Sequence, residues 1–508
     1  MRARLAAAGI LGLTAASPVL AHTGHDGSEV LGTVHFPTSC TAQAQRSFER
    51  GLALLHHMTY PQARESFQQA AALDPHCAMA HWGIAMTLFQ PLWPTRPDVT
   101  ARQRGWNELQ VALQLQPQTG RERQYIATAQ AFFADPAGED YWLRIRRWEQ
   151  ASATLHRSLP DDDEASAFYA LAHLATVPPD VVSRTNADES AAILLRVYEA
   201  NPDHPGAMHY LVHANDVPGR ERELLEITRK YESVAPGNPH ALHMPTHIYT
   251  RLGDWDGVIR GNLLAADAAL EFPAGEHGEL VWDEFPHAIE YLVYAYLQQG
   301  DEDSAHAQLD RLAATERLEP SFKTAFHIAS TRARYALERQ DWEAAASLPV
   351  RQPASLDWDR FPWPEAISVY AQGLGAARLG RMTDARAASR RLAALEAKAA
   401  RTGEELFARN IRVLRLEVEA WTEQLEGRPD AAIDRMQEAA ELETSTPKHA
   451  VTPAPTLPAH ELLGDLWMAQ GQPARALEAY RRSLEIYPNR FNSLRGISGA
   501  ENSQAHSG

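Results

Sequence analysis

The stretch from Asn201 to Trp255 reads NPDHPGAMHYLVHANDVPGRERELLEITRKYESVAPGNPHALHMPTHIYTRLGDW. It contains two histidine pairs, His209/His213 and His243/His247, and the members of each pair are four residues apart. This spacing places both rings of a pair on one face of a helix. The pairs lie 34 residues apart, member for member, and this is the period of a common helical-hairpin repeat. The stretch therefore predicts stacked hairpins that bring both pairs to one face.

Turn glycines extend this pattern along the chain. Gly219, Gly253 and Gly300 each precede a second helix, as glycine does at helix ends. Aligning the chain on these glycines predicts first helices at 205–216, 239–251 and 286–298. Further hairpins are predicted at 319–347, 363–400, 404–443 and 457–487, after less regular helices at 121–133, 141–157, 163–176 and 187–200. No strand pattern is evident, so we predict an all-α solenoid of stacked helical hairpins.

The N-terminus has the features of a signal peptide. Arg2 and Arg4 precede an apolar run from Leu5 to Ala16, and small residues surround a cleavage site after Ala21. We therefore expect an exported protein, periplasmic or secreted. Cleavage there would make His22 the first residue, which suits either a copper site at the N-terminal amine or an ordinary flexible start. Cys40 and Cys77, the two cysteines of the chain, either form a disulfide in an oxidising compartment or remain reduced.

Proline-rich stretches at 349–364 and 444–458 are poor helix formers, and we expect the first to separate two lobes. The predicted segments are a signal peptide (1–21), an extended segment (22–43), an N-terminal solenoid with the candidate site (44–348), a proline-rich loop (349–364), a C-terminal lobe (365–498) and a flexible tail (499–508).

The composition limits the classes of partner. The formal net charge is −17, which argues against nucleic acid as a partner, because nucleic acid requires a basic face. No internal apolar run is long enough to span a membrane. The hydrophobic content of 44% is sufficient for a large core.

Four motifs carry a resemblance to a known family. They are CAMAHWGIA at Cys77–Ala85, HPGAMHYLVHA at His204–Ala214, HMPTHIYTRLG at His243–Gly253 and the stretch Glu461–Phe491. With these motifs the chain resembles tetratricopeptide repeat proteins, and more narrowly an exported bacterial branch of them. The resemblance implies a scaffold and no particular reaction. It also implies that positions 2, 5 and 9 of each first helix line a concave groove.

The candidate site residues share these groove positions when each turn glycine is numbered 15. The predicted metal ligands are His209, His213, His243, His247, His287 and Glu290. His240 also falls at position 2, as does His327 in the following repeat when Gln340 is taken as position 15. Neutral imidazoles spaced four residues apart present two nitrogens to one ion. Without a cysteine in the set, a divalent transition metal such as Zn, Cu or Fe is expected, and its identity stays open.

The remaining polar residues have supporting roles in this prediction. Asp216, Asp283 and Glu284 are candidate carboxylates that orient the imidazoles. If the metal is catalytic, Glu290 or Asp216 is the candidate base. His56 and His57 are assigned to the surface or the groove.

Two functions remain open at this point. The first is metal binding in the groove, for metal handling or for metal-dependent catalysis. The second is a non-enzymatic scaffold, in which the groove binds a peptide or a protein partner and its histidines form only hydrogen bonds. The sequence assigns no reaction, no catalytic residue and no oligomeric state.

Overall fold

The computed structural model describes residues 30–93, 96–138, 140–275 and 278–507. Over these residues successive helices pack against one another in chain order, and the predicted all-α solenoid is confirmed. The predicted signal peptide (1–21) and His22 lie outside the described residues.

The helices of the first half carry both histidine pairs. They are α1 (Ala42–His56), α2 (Tyr60–Leu73), α3 (Ala78–Met86), α4 (Val99–Gln114), α5 (Gly120–Phe133), α6 (Tyr141–Ser158), α7 (Asp163–Leu174), α8 (Arg184–Ala200), α9 (Pro205–Asn215), α10 (Leu225–Val234), α11 (Pro239–His243), α12 (Pro245–Leu252) and α13 (Trp255–Glu271).

The second half continues the solenoid. Its helices are α14 (Glu284–Gln298), α15 (Glu302–Ala314), α16 (Phe322–Glu338), α17 (Trp342–Ala346), α18 (Pro362–Arg378), α19 (Met382–Arg401), α20 (Glu405–Leu425), α21 (Pro429–Ser445), α22 (Ala459–Ala469), α23 (Pro473–Ile486) and α24 (Phe491–Ser507). A 3-10 turn covers Trp358–Arg360. A short antiparallel ladder pairs β1 (Pro273–Ala274) with β2 (Leu280–Val281).

Side-chain caps fix where many helices begin. The side chains of Asp98, Asp162 and Asn238 each accept a hydrogen bond from a backbone N–H in the first turn that follows. Thr119 and Glu122 form a reciprocal capping box at the start of α5. These contacts satisfy backbone donors that have no partner within the helix.

The helix predicted at 239–251 is interrupted at one residue. Pro245 has no backbone N–H to donate, so α11 ends at His243 and α12 begins at Pro245. Met244 between them keeps helical dihedral angles, with φ −54° and ψ −41°. His243 and His247 therefore remain one turn apart on the same face.

The C-terminal end of the chain packs back onto its middle. Trp255 Nε1 donates to the carbonyl of Asn489 at 3.0 Å. Gly253, in the turn between α12 and α13, has φ +67°, and a Cβ there would lie 2.5 Å from the carbonyl oxygen of Pro488. Glycine is thus required at this turn both for its dihedral angle and for the close contact.

The flexible tail predicted at 499–508 lies, as far as Ser507, in the last helix of the chain. Helix α24 runs through Ser507, and the Ala500 side chain is fully buried. At its start, Arg490 donates to Glu338 and Glu461 at 2.9 Å and 2.8 Å. The buried ion pairs and the apolar contact explain why the helix continues past the predicted limit.

Two large apolar cores meet near α11 to α13. The first extends from Leu31 to Ile248, and the second from Leu242 to Ala500. The proline-rich segment 349–364, which we expected to separate two lobes, contributes buried Trp358 and Phe361 to the second core. The junction of the two cores therefore lies about one hundred residues earlier, beside the histidine pairs.

The N-terminal segment is helix-free from residue 30 to Thr41. Cys40 at its end forms a disulfide with Cys77, which precedes α3. Among the described residues, none of the helices is long and apolar enough to cross a membrane.

Candidate metal centres

The structure gathers five of the six predicted ligands, together with His240, into two sets. The first histidine triad consists of His209, His213 and His240. The second histidine triad consists of His243, His247 and His287. Within each triad, one nitrogen of every ring lies within 4.8 Å of the other two. All of these rings are buried except that of His213, which is half-buried.

In the second triad, the Nε2 atoms of His243 and His247 face each other at 3.0 Å. The opposite nitrogen of each ring is bound to another group. His243 Nδ1 lies 2.7 Å from Oδ1 of Asn262, and His247 Nδ1 lies 3.2 Å from Oδ2 of Asp216.

These outer contacts determine which nitrogen carries the proton. Asn262 donates its Nδ2 to the carbonyl of Val258 at 2.9 Å, which orients its Oδ1 toward His243 as an acceptor. Burial would raise the pKa of Asp216, but Arg251 and Lys448 outweigh it and hold that pKa well below its usual range. Both His243 and His247 therefore donate from Nδ1, and in the neutral rings both Nε2 atoms present lone pairs.

Two lone pairs at this distance repel. Protonation of either Nε2 atom would relieve the repulsion, but this protonated form is disfavoured. Burial lowers the pKa of His243 well below its usual value, and it lowers the pKa of His247 despite the opposing effect of Asp216. Two nitrogens bound to one tetrahedral zinc, each about 2.0–2.1 Å from it, lie roughly 3.3 Å apart. A metal ion thus fits the contact that neutral imidazoles alone leave unfavourable.

His287 on α14 supplies the third ring. Its centroid lies 4.1 Å from that of His243 and 6.1 Å from that of His247. Burial lowers its pKa well below the usual range, and its Nδ1 is buried without a hydrogen-bond partner among the described residues. The second triad therefore offers nitrogens from three helices.

In the first triad, two of the three rings are oriented by acceptors at Nδ1, whereas His213 can carry its proton on Nε2. His209 Nδ1 donates to the carbonyl of His56 at 2.6 Å, and His240 Nδ1 donates to Oε1 of Glu284 at 3.1 Å. His240 Nε2 has no partner among the described residues. His213 Nε2 lies 3.2 Å from His209 Nε2 and can donate to it. This contact has a favourable hydrogen-bonded form, unlike the contact between His243 and His247.

Asp216 and Glu284, two of the candidate orienting carboxylates, do contact imidazoles. Asp283 instead accepts from the Ser321 hydroxyl at 2.6 Å. Carboxylate or carbonyl acceptors on the far nitrogen fix the tautomer and orientation of a metal-binding histidine. His209, His240 and His247 all have this arrangement.

Glu290 lies where the repeat pattern places it but is fully engaged by its neighbours. It accepts from Arg334 Nε at 2.9 Å, from the Ser330 hydroxyl at 2.6 Å and from His327 Nδ1 at 2.5 Å. Its oxygens hold His327, whose Nε2 is buried without a partner among the described residues. The ring of His327 lies 4.4 Å from that of His287. This environment favours an orienting role for Glu290.

A third cluster was missed by the sequence reasoning, which placed His56 at the surface or in the groove. His56, Glu164 and His204 are buried together. His204 caps α9, and its Nδ1 accepts from the N–H of Ala207 at 3.1 Å. In its neutral form this ring therefore carries its proton on Nε2, which faces Glu164 Oε1 at 3.4 Å.

In this third cluster His204 Nε2 and Glu164 Oε1 face each other at 3.4 Å without a hydrogen bond, and His56 is hydrogen-bonded. His56 Nε2 donates to Glu164 Oε2 at 2.7 Å. Burial would raise the pKa of Glu164, but His56 and His204 outweigh it and hold that pKa well below its usual value. His204 has no free lone pair for a metal, so we assign the cluster a structural role. It positions the His56 carbonyl that accepts from His209.

Sequence comparison identifies tetratricopeptide repeats at residues 43–90 and 458–490. The chain therefore carries repeats of this type near both ends of its solenoid. The narrower resemblance, to an exported bacterial branch, stays a prediction. No curated protein matches the chain significantly.

Several solved structures are similar to the chain. The APC/C hetero-tetramer Cut9–Hcn1 is 13% identical with a TM-score of 0.39, over 92% of this chain and 78% of that one. Yeast Tom70 is 9% identical with a TM-score of 0.32, over 91% and 89%. The human IFIT1 dimer with PPP-AAAA is 14% identical with a TM-score of 0.32, over 78% and 72%. TM-scores this low support no functional comparison.

Proposed function

We propose that the chain is an exported tetratricopeptide repeat protein that binds a divalent transition metal through His243, His247 and His287. One observation carries the proposal. The Nε2 atoms of His243 and His247 lie 3.0 Å apart while both Nδ1 protons are donated elsewhere. A bound cation turns two repelling lone pairs into two ligands.

The donor set narrows the choice of metal. Imidazole nitrogen without thiolate suits zinc, copper(II), iron(II) or nickel, and does not suit calcium or magnesium. Three protein ligands leave a fourth position for water or another molecule, as in sites where the metal is exchanged or acts on a substrate. The site therefore supports metal handling or metal-dependent catalysis, and we assign no reaction. Asp216 and Glu290, the candidate bases, are both held in ion pairs.

The first triad is a second candidate centre. His209 and His240 present buried Nε2 atoms with their Nδ1 protons donated, as in the second triad. Because His213 can donate to His209, this triad is also stable without a metal. Stoichiometry decides between one centre and two.

The disulfide supports the proposal that the chain is exported. Cys40 and Cys77 are joined, and disulfides persist mainly outside the reducing cytosol. The signal peptide predicted at 1–21 supports the same compartment.

A zinc titration of chelator-stripped, tag-free protein tests the proposal. A competing chromophoric chelator reports the free metal, and the variant is His243→Gln/His247→Gln. We expect the native chain to bind about one or two equivalents tightly and the double variant to lose at least one of them.

Two controls separate ligand loss from general damage. His306→Gln changes an exposed histidine on α15. His57→Gln removes a buried imidazole that contacts Tyr231 and the Leu31 carbonyl but belongs to neither triad. Both controls should keep the stoichiometry. Equal zinc binding by the double variant and the native chain would refute the proposal.

The tetratricopeptide repeats support protein interaction as a second candidate function. We propose it as the alternative, in which a partner peptide binds the solenoid and the histidines form only hydrogen bonds. Under this alternative, zinc binds weakly and non-stoichiometrically, and the double variant keeps its stability and loses partner binding.

A further inference from the structure

A proline-rich segment lies inside the solenoid instead of on its surface. We call residues 446–458, between α21 and α22, the strap. It contains no helix, yet most of it is buried, including His449, Val451, Ala454 and Leu457. Buried irregular backbone requires specific hydrogen-bond partners, so its position is determined by particular side chains.

Arg334 on α16 provides several of those partners. This fully buried guanidinium donates Nη1 to the carbonyl of Pro455 at 2.7 Å, and Nη2 to the Thr452 hydroxyl at 3.1 Å and to the carbonyl of Ala454. Its Nε donates to Glu290 at 2.9 Å. The strap is therefore connected through Arg334 to the carboxylate that holds His327, beside His287.

Lys448 connects the strap to the second triad by another route. Its Nζ lies 3.6 Å from Oδ2 of Asp216, the oxygen that accepts from His247 Nδ1. Arg251 pairs with the other oxygen of Asp216. Lys448 thus helps to hold the carboxylate that fixes the His247 tautomer.

The strap also fills the space beside α16, α18 and α20. A cavity there is lined by residues that include Phe326, Trp363, Val413, His449 and Tyr487. While the strap is seated, its own groups accept the hydrogen bonds of Arg334.

We propose that the strap is the built-in occupant of the space beside α16, α18 and α20, and that its seating is coupled to metal binding at the second triad. The proposal rests on the proposed metal function. A metal on His247 fixes Asp216, and Asp216 then holds Lys448 more firmly. By linkage, a seated strap raises metal affinity by the same factor. Through Asp216, the strap therefore contributes to the affinity of the second triad for the metal.

Hydrogen exchange of the strap amides, with zinc as the probe, tests the coupling. We expect zinc to slow exchange across 446–458 in the native chain and to leave it unchanged in His243→Gln/His247→Gln. Helix α23, which is close to the strap in sequence and carries none of the triad residues, is the internal reference. Zinc binding with no change in strap exchange would overturn the coupling and leave the metal function intact. Absence of zinc binding would overturn both.

A lysine series provides a second readout. Lys448→Met should raise the zinc Kd several-fold, toward the roughly 10-fold loss of affinity that follows removal of an outer partner of a metal ligand. Lys448→Arg keeps the charge and should restore most of the affinity. Lys398→Met, at a half-buried lysine on α19 that pairs with Asp359, is the matched control. Equal zinc affinity in the Lys448→Met variant and the native chain, with both folded by circular dichroism, would contradict the coupling.

Discussion

His243 Nε2 and His247 Nε2 lie 3.0 Å apart, and each ring donates its Nδ1 proton to a different group. The two acceptors, Asn262 and Asp216, come from different helical hairpins. Asn262, Asp216 and the histidine pair thus come together so that two unprotonated nitrogens face each other. Protein interiors usually avoid such unsatisfied polar contacts, and the metal that we propose here would remove this one.

Zinc should stabilise the native chain against heat. A ligand at about 100 times its Kd adds roughly 2.7 kcal/mol to the free energy of unfolding, provided that the unfolded chain does not bind it. We expect zinc to raise Tm and a chelator to reverse the change, measured by scanning calorimetry. His243→Gln/His247→Gln should show no such rise. An equal rise in this variant would assign the stabilisation to another site.

Asn262→Leu should weaken zinc binding although Asn262 does not touch the metal. The substitution removes the acceptor that fixes His243 Nδ1, and loss of such a partner reduces metal affinity by about 10–100-fold. Competition titration measures the Kd. Asn492→Leu, at a buried asparagine near the C-terminus, should lower stability and leave the Kd unchanged. If both variants behave alike, the orienting role of Asn262 is wrong.

His204→Asn should leave metal content unchanged. Asparagine keeps the cap at the start of α9, since it is among the best capping residues, and it removes the Nε2–H that faces Glu164. We expect a modest loss of stability and the same stoichiometry by mass spectrometry. Loss of one equivalent would show that His56, Glu164 and His204 form a metal site, contrary to the tautomer assigned to His204.

Stability should fall as the pH rises toward 8, in part because of Glu443. Burial raises the pKa of this carboxyl to about 8. The unfolded chain loses the proton near pH 4.3 while the folded chain keeps it, so the contribution of Glu443 declines from about pH 4.3 to about pH 8. Glu443→Gln, which cannot ionise, should have a higher Tm than the native chain near pH 9 and a similar Tm near pH 5. Glu441→Gln, an exposed neighbour, should follow the native curve; a parallel curve for Glu443→Gln would contradict the assignment.

Reduction of Cys40–Cys77 should destabilise the first hairpins. The bond closes a loop with a sequence separation of 37, and loops of this size contribute roughly 3–4 kcal/mol in the chain-entropy description. Thermal unfolding with and without dithiothreitol, compared with Cys40→Ser/Cys77→Ser, measures this contribution. A native chain whose Tm is insensitive to reductant would contradict it.

Much of the fold could be predicted from the sequence because it depends on residues that are close together in the chain. Turn glycines and apolar spacing predicted most helices to within a few residues, and the 34-residue period correctly placed the pairs on neighbouring helices. Pro245 split one predicted helix without moving His247 off the face of His243. Residues 499–507, within the predicted flexible tail, lie in helix α24, and Arg490 just before this helix contacts Glu338, more than one hundred positions away.

The candidate site was only partly accessible, because its details depend on contacts between distant residues. The repeat register identified position 5 for Glu290, but Arg334 and His327 from the next helix determine what its carboxylate does. The sequence already assigned His240 and His327 to groove position 2, and that signal was sufficient to add them to the predicted site. The strap was predicted only as a poor helix former. Nothing local shows that it is buried against Arg334.

Metal content of the exported, tag-free chain, purified without chelator and measured by mass spectrometry, tests the metal function most directly. We predict about one or two equivalents of a single transition metal, with at least one lost in His243→Gln/His247→Gln. A substoichiometric mixture of metals, unchanged by the two substitutions, would contradict a metal centre at the second triad.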